Sequence, residues 1–167
     1  DLSYVRRVIL PMGVGEETVK YLKDKKIQPA VEVSAAIFGG DDAVYNSLIK
    51  ARKNGISLAA VCSLDGAAIA KKAGMKLCAL PGTNIFNTFS LDEFAHLGFT
   101  DAILSTELKI VQCASLGGKL PRGVFAYGRL PLMQTRNCPV KNGTTCDKCR
   151  KHGFLTDRMG VTFPVEC

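Results

Sequence analysis

The sequence predicts an α/β protein built on a parallel sheet of about six strands, either part of a (β/α) barrel or an open doubly wound sheet. Over the first ~130 residues, short apolar runs rich in β-branched side chains alternate with amphipathic stretches. The runs begin roughly 19–27 residues apart, which is the spacing of consecutive β/α units. Because the runs are almost entirely apolar, both faces of each strand are expected to be buried, as in a parallel sheet covered by helices.

These runs predict six strands. They cover residues 7–12, 30–35, 57–63, 76–80, 101–104 and 123–127. A complete (β/α) barrel has eight strands, so we expect a partial barrel that belongs to a longer chain. The absence of Met at the first position agrees with that expectation.

Five helices fit between the strands. They are expected at residues 16–25, 41–54, 66–73, 91–97 and 109–115. Asp41 and Asp42 favour the start of the second helix, and Gly55 favours its end. Ser90 followed by Glu93 predicts a capping box at the start of the fourth helix.

Polar side chains recur where the predicted strands end. In either architecture, ligands bind at the C-terminal ends of the parallel strands. We therefore select Glu107 as a candidate acid or base, with an acidic residue that opens the next helix as the alternative interpretation. Asn84, Asn87 and Arg129 follow strands in the same way and are candidate substrate-binding residues, and Arg136 is a further one in the segment beyond.

The composition favours a cytoplasmic protein with an acidic partner. The chain has 167 residues, 47% of them hydrophobic, with no apolar run long enough to cross a bilayer and no signal-peptide pattern. A formal net charge of +7 suits a polyanion, although many soluble proteins are as basic without binding one.

The chain divides by composition into two regions. Residues 1–130 form the (β/α) repeat domain, and residues 131–167 form a basic, Cys-rich segment with little periodicity. We expect this second region to be irregular and to bind metal.

Four of the seven cysteines lie in the second region, in the pattern Cys-x7-Cys-x2-Cys-x17-Cys. They are Cys138, Cys146, Cys149 and Cys167. Two thiolates separated by two residues chelate one ion or one side of a cluster. In a reducing cytosol, clustered cysteines bind metal more often than they form disulfides. Zinc and an iron–sulfur cluster both fit, the cluster better because the outer cysteines are single, and free or disulfide-linked thiols are the alternative.

The remaining cysteines and the histidines form no recognisable catalytic pattern. Cys62, Cys78 and Cys113 lie in apolar surroundings and are predicted to be small core residues. His96 falls in a predicted helix and His152 in the basic segment, and the chain contains neither HExxH nor GxSxG. The residues themselves therefore support a peptidase only weakly.

The segments YGRLPLMQTRNCP, LTDRMGVTFPVEC and NIFNTFSLDEFAHLGFTDAILSTEL resemble peptidase family U32, the collagenase-like proteases. The resemblance runs from Ala30 to Cys167 and is most specific between Gly128 and Cys149. It implies an internal portion of the family's barrel-like domain. The family name implies peptidase activity, while several relatives hydroxylate ribosomal or transfer RNA with prephenate as a required metabolite, and others assist ubiquinone hydroxylation.

The resemblance also implies a four-cysteine [4Fe–4S] cluster. Cys138 matches the family's second cluster cysteine, Cys146, Cys149 and Cys167 supply the rest, and Pro131 stands where many members carry their first. Three functions remain open: iron–sulfur-dependent RNA hydroxylation, peptide hydrolysis, and a zinc-stabilised binding module without catalysis. The partners we expect are RNA and prephenate, without a membrane, and an open sheet edge favours self-association.

Overall fold

A computed structural model of the chain describes residues 2–141, 145–147 and 152–166. The chain forms two compact units, Asp1–Arg129 and Leu130–Cys167. Among the described residues, no helix combines the length and the apolar character needed to cross a membrane.

The first unit alternates strands and helices along the chain. Its strands are β1 (Arg7–Leu10), β2 (Gln28–Val33), β3 (Leu58–Val61), β4 (Lys76–Ala79), β5 (Phe99–Ile103) and β6 (Arg122–Gly123). Its helices are α1 (Glu16–Asp24), α2 (Asp41–Lys53), α3 (Leu64–Lys72), α4 (Thr88–His96) and α5 (Ile110–Ser115), with a short 3-10 helix at Pro81–Thr83. This alternation confirms the predicted α/β class.

The order of the strands decides between the two predicted architectures. All six strands are parallel and lie in sequential order, from β1 to β6. A doubly wound sheet reverses its strand order at a switch point, whereas a (β/α) barrel adds each strand beside the previous one. The first unit is therefore a partial barrel, and the doubly wound alternative is wrong.

An ion pair shows how strongly the sheet curls. The Arg7 guanidinium on β1 makes two hydrogen bonds to the Asp101 carboxylate on β5, at 2.6 and 2.9 Å. In a flat sheet with strands about 4.8 Å apart, these two strands would lie about 19 Å from each other. Only a sheet rolled into a half-barrel brings the two side chains into contact across its concave face.

The strand register assigns the two faces of the half-barrel. Arg7 and Asp101 share the concave face with a small buried cluster, formed by Ala30, Leu58, Ala60 and Cys78. The alternate strand positions face the helices, where residues such as Val31, Val61 and Leu77 enter the main apolar core. Strand β3 is buried on both faces, as its composition predicts, whereas Ile9, Glu32 and Lys76 on neighbouring strands are exposed on the concave face.

Two predicted boundaries need correction. Helix α4 begins one turn earlier than expected, because Asn87 caps it: its side-chain oxygen accepts a hydrogen bond from the Ser90 backbone N–H at 2.8 Å. Ser90 is thus the third helical residue of a capping box, and the predicted box with Glu93 is wrong. Strand β6 ends at Gly123, because its pairing partner Ile103 is the last residue of β5.

The second unit contains an antiparallel hairpin that the sequence analysis did not predict. Strand β7 (His152–Thr156) pairs with β8 (Thr162–Glu166), and the Asp157 side chain accepts hydrogen bonds from two backbone N–H groups of the connecting turn. The segment is therefore irregular as predicted over residues 131–141, whereas residues 152–166 form this hairpin. None of the described side chains of this unit is buried, whereas the buried apolar residues lie between Leu10 and Leu120.

Candidate functional site

Ser105 joins two loops at the C-terminal end of the sheet. It follows β5 and is 5% exposed. Its backbone N–H donates to the Ile85 carbonyl at 2.9 Å, and its hydroxyl oxygen accepts from the Glu107 backbone N–H at 3.3 Å. Ser105 therefore holds the loop after β4, which carries Asn84, beside the loop after β5, which carries Glu107. Ser105 is not among the candidate residues named from the sequence, although it follows a predicted strand as they do.

Glu107 lies exposed in the loop between β5 and α5. Helix α5 begins at Ile110 with Lys109 as its N-terminal cap, so Glu107 precedes the helix and does not open it. The alternative interpretation of Glu107 as a helix-opening residue is therefore wrong. Its carboxylate is accessible to a ligand at the sheet end where (β/α) barrels bind their substrates.

Asn84 and Asn87 differ in how freely they can meet a ligand. Asn84 is exposed and has a left-handed backbone, with φ of 52°, at the end of the 3-10 helix. Asn87 is half-buried, and its side-chain oxygen is occupied by the α4 cap described above. Of the two predicted substrate-binding amides, Asn84 therefore has the whole amide accessible, whereas Asn87 already holds a structural role.

The two candidate arginines belong to different units. Arg129 is the last residue of the first unit, and Arg136 lies in the second. Both are exposed, as cations that contact phosphates need to be.

Two of the four predicted metal ligands are described by the structure. Cys138 and Cys146 are exposed and form no disulfide. Cys149 and Cys167 lie outside the described residues. The Lys141 backbone N–H donates to the Cys138 carbonyl at 3.3 Å, so the chain turns immediately after the first of these thiols. Within the described residues, no three His, Cys, Asp or Glu side chains form a metal-binding group.

The other cysteines have the structural surroundings that their sequence context predicts, with one exception. Cys78 and Cys113 are buried, as expected, while Cys62 is half-exposed. Burial, helped by the nearby Asp101 carboxylate and opposed by Arg7, raises the pKa of the Cys78 thiol to about 11. A thiol with this pKa stays protonated at neutral pH, so Cys78 is a small core residue and not a nucleophile.

The Arg7–Asp101 pair is the feature of the concave face that sequence reasoning missed. Burial tends to raise the pKa of Asp101, but hydrogen bonds from Arg7 and Thr100, together with the charge of Arg7, hold it below its usual value. The hydrogen bonds to Asp101 raise the pKa of Arg7. Both groups are therefore charged at neutral pH, and each is the ion-pair partner of the other. We therefore assign the pair a structural role in the curl of the sheet, and the candidate reactive and binding residues remain those at the strand ends.

The donor chemistry of the second unit fits a thiolate-ligated metal or cluster. Four thiols occur within roughly 40 residues, and a chain of that length usually needs a disulfide, a metal or a partner to fold. The exposed and unbridged state of Cys138 and Cys146 leaves both available as ligands. No protein-family model, curated protein or solved structure matches this chain.

Proposed function

We propose that this chain is part of an iron–sulfur-dependent RNA hydroxylase of the U32 type, in which Cys138, Cys146, Cys149 and Cys167 hold the cluster. One observation carries the proposal: the second unit has no buried side chain among its described residues, yet it contains four thiols. Without an apolar core, such a unit gains its stability from bound metal or cross-links. Its single outer cysteines favour a cluster over the paired knuckles of structural zinc.

The charge around the thiols supports a thiolate-ligated centre that works on an acidic partner. Arg136, Lys141, Lys148 and Arg150 lie close to the cysteines in sequence. Cations favour the thiolate form of cysteine and offset the negative charge of a thiolate-ligated cluster. The same cations neutralise phosphates, which supports RNA as the partner.

Hydroxylation of a base replaces a C–H bond with a C–OH bond. With water as the oxygen source, it releases two protons and two electrons, so the reaction needs an external one-electron acceptor to which the electrons pass. When bound, the cluster supplies electron-transfer chemistry for such a reaction. In our proposal Arg129 and Arg136 hold phosphates, the accessible Asn84 amide meets a base edge, and Glu107 accepts the proton released from carbon. Prephenate is the small co-reactant that the U32 resemblance implies, and the reducing cytosol is the compartment.

The first experiment measures the cluster. Protein purified without oxygen is analysed for iron and acid-labile sulfide, in the parent chain and in the variants Cys138→Ser and Cys146→Ser. We expect roughly four irons and four sulfides per parent chain, and loss of both in each variant. Cys62→Ser and Cys113→Ser are the matched controls, because they remove thiols from the first unit and should leave iron unchanged.

Two outcomes would overturn the cluster assignment. Colourless protein with stoichiometric zinc would identify the zinc-stabilised module instead. Equal iron in the Cys138 variant and in the Cys62 control would show that iron binds elsewhere or adventitiously.

The second experiment tests the reaction. RNA is incubated with the cluster-loaded protein, prephenate and a one-electron acceptor, and its nucleosides are analysed by mass spectrometry. With the parent chain we expect one nucleoside to gain the mass of one oxygen atom. With the Glu107→Gln variant this gain should be absent. Hydrolysis of gelatin by a variant that lacks all four clustered thiols would favour the peptidase instead.

A further inference from the structure

Ten cations gather at one end of the first unit. They occur in the last turns of α1, α2 and α3 and in the loops that lead to the next strands, within residues 20–28, 50–57 and 71–76. These segments contain a single carboxylate, Asp24. The cations are Lys20, Lys23, Lys25, Lys26, Lys50, Arg52, Lys53, Lys71, Lys72 and Lys76, and we call this surface the basic end.

The three segments lie side by side. A Cβ atom at Gly55 would come within 2.1 Å of Lys23 Nζ, so the end of α1 touches the end of α2. Arg52 Nη1 donates to the Ala73 carbonyl at 3.2 Å, which joins the end of α2 to the end of α3. The basic end is thus one continuous surface, located where the strands begin.

The cations of the basic end form no close ion pair within the described part of the chain. The ion pairs among the described residues are Arg7–Asp101 and Glu93–His96, and neither includes one of the ten cations. All ten side chains are exposed. A cation in the last turn of a helix interacts favourably with the helix dipole, which explains one such residue per helix. It does not explain this density, because like charges held together repel and destabilise the compact state.

We propose that the basic end binds the phosphate backbone of RNA. The surface is charged and poor in large apolar side chains: within its three segments Tyr21 is the only large hydrophobic residue described as exposed. Binding to a membrane surface needs apolar side chains that insert beside the cations, and this surface offers too few. Lysines neutralise phosphates without reading bases, so the basic end would anchor RNA and not select its sequence.

The proposal deepens the proposed function and rests on it for the identity of the polyanion. The basic end lies at the strand starts, while Asn84 and Glu107 lie at the strand ends. Strands of four to six residues separate the two ends by roughly 13–20 Å. An RNA anchored at the basic end therefore extends along the unit to reach the candidate site.

The test measures RNA affinity as a function of salt. Lys53→Gln/Lys72→Gln removes two cations from the basic end, and Lys109→Gln/Arg158→Gln removes two from elsewhere. Fluorescence anisotropy with a labelled single-stranded RNA is recorded across a salt series for both variants and the parent chain. Each lost phosphate contact lowers the slope of log affinity against log salt by about 0.7. We therefore expect the slope to fall by about 1.4 in the first variant, with up to about 25-fold weaker binding at 0.1 M salt, and the second variant to stay near the parent.

The remaining arms separate the outcomes. Equal loss in both double variants would show that net charge alone matters and would overturn the proposal. Binding to vesicles of anionic phospholipid with no binding to RNA would overturn it in favour of a membrane surface. A Cys138→Ser/Cys146→Ser chain should still bind RNA with the parent slope, so failure of the cluster assignment and failure of this proposal give different results. Melting temperatures of all variants confirm that they are folded.

Discussion

Arg7 and Asp101 are 94 residues apart in sequence and yet form the contact that defines the curl of the sheet. Arg7 Nη1 donates to one carboxylate oxygen and Nη2 to the other, an arrangement stronger than a single charged hydrogen bond. Both side chains are largely shielded, at 28% and 21% exposure, so solvent screens their attraction less than it would on the surface. Removal of one partner leaves the other charge poorly solvated.

A double-mutant cycle measures this pair. Arg7→Met and Asp101→Asn are made as single variants and as a double variant. The free energy of unfolding of each chain is obtained from urea denaturation. We expect a coupling energy of about 1–3 kcal/mol at pH 7. Arg6→Met is the control for Arg7→Met, because Arg6 is exposed and makes no ion pair in the described structure, and its coupling to Asp101 should be near zero.

The pH dependence of the coupling has a definite sign. The folded-state pKa of Asp101 is lower than its ordinary value of 3.8, so the stabilisation is fully present above about pH 4 and is lost as pH falls through the folded pKa. The coupling measured at pH 2.5 should therefore be smaller than at pH 7. A coupling that stays constant between these two pH values would contradict the assignment of an ionised carboxylate.

The sequence could supply the residue types of the candidate site but not their contacts. Glu107 and Asn84 follow apolar runs, and that position is visible in the chain. The contact between Arg7 and Asp101 is not, because nothing local to either residue records which distant strand the curl brings opposite. Asn87 is a substrate candidate because it follows a predicted strand, and its capping role is not visible when the helix is predicted to begin at residue 91 instead of at Thr88.

At the scale of single elements, Asn87 shows how one side chain sets where a helix begins. Asn87→Ala removes the cap of α4 and should lower the free energy of unfolding by about 1 kcal/mol. Asn87→Asp keeps an oxygen at the same place and should keep most of that stability. Chemical denaturation of the two variants gives the comparison.

The same pair of variants tests whether Asn87 also binds substrate. Activity that falls in Asn87→Asp, despite retained stability, would show that the amide has a ligand as well as the helix. If Asn87→Ala unfolds at the same denaturant concentration as the parent chain, the cap is not what fixes the start of α4.

Neighbouring helices are linked by cations at their C-terminal ends. Arg52 of α2 bonds to the Ala73 carbonyl at the end of α3, and Lys71 of α3 bonds to the Leu97 carbonyl at the end of α4, at 3.2 Å. These carbonyls have no partner within their own helices. Each bond therefore satisfies a helix terminus and fixes the spacing between two helices.

Arg52→Gln should destabilise the first unit by about 1 kcal/mol, since it loses a charged hydrogen bond to a helix terminus. Lys53→Gln is the matched control, because Lys53 occupies the adjacent position, is exposed, and makes no hydrogen bond that the structure describes. Its effect should stay within about 0.5 kcal/mol. Equal unfolding midpoints for the two variants in urea would argue against the role of Arg52.

The elements themselves were largely predictable, because a strand buried on both faces is visible as a continuous apolar run. Hairpin β7–β8 was missed for the opposite reason: its strands are exposed or at most half-buried and include Gly153 and Pro164, which weaken a strand pattern. The order of the strands, which decided the architecture, is a property of the assembled sheet and is absent from any single run.

At the scale of the whole molecule, the two units draw stability from different sources. The first has a continuous apolar core of residues between Leu10 and Leu120. The second has no buried side chain among its described residues, and its conformation is expected to depend on what its thiols bind. The two units should therefore respond differently to metal.

Calorimetry of the full chain should show two transitions, of which only one depends on the clustered thiols. Cluster loading should raise the free energy of unfolding of the second unit, because the cluster binds its folded state. The increase should be about 2.7 kcal/mol when the ligand concentration is about 100 times the dissociation constant. The transition of the first unit should not move. In a Cys146→Ser chain, cluster loading should no longer shift the transition of the second unit. In a Cys113→Ser chain it should still do so, even if the transition temperature of the first unit is lower.

The cationic links between helices have a consequence for how such a half-barrel grows. The unit that contains α3 carries both halves of such a link: Lys71 reaches forward to the end of α4, and the end of α3 receives Arg52 from α2. Both halves are thus encoded within a single repeat. A duplicated copy of this unit would therefore bring both of these hydrogen bonds with it.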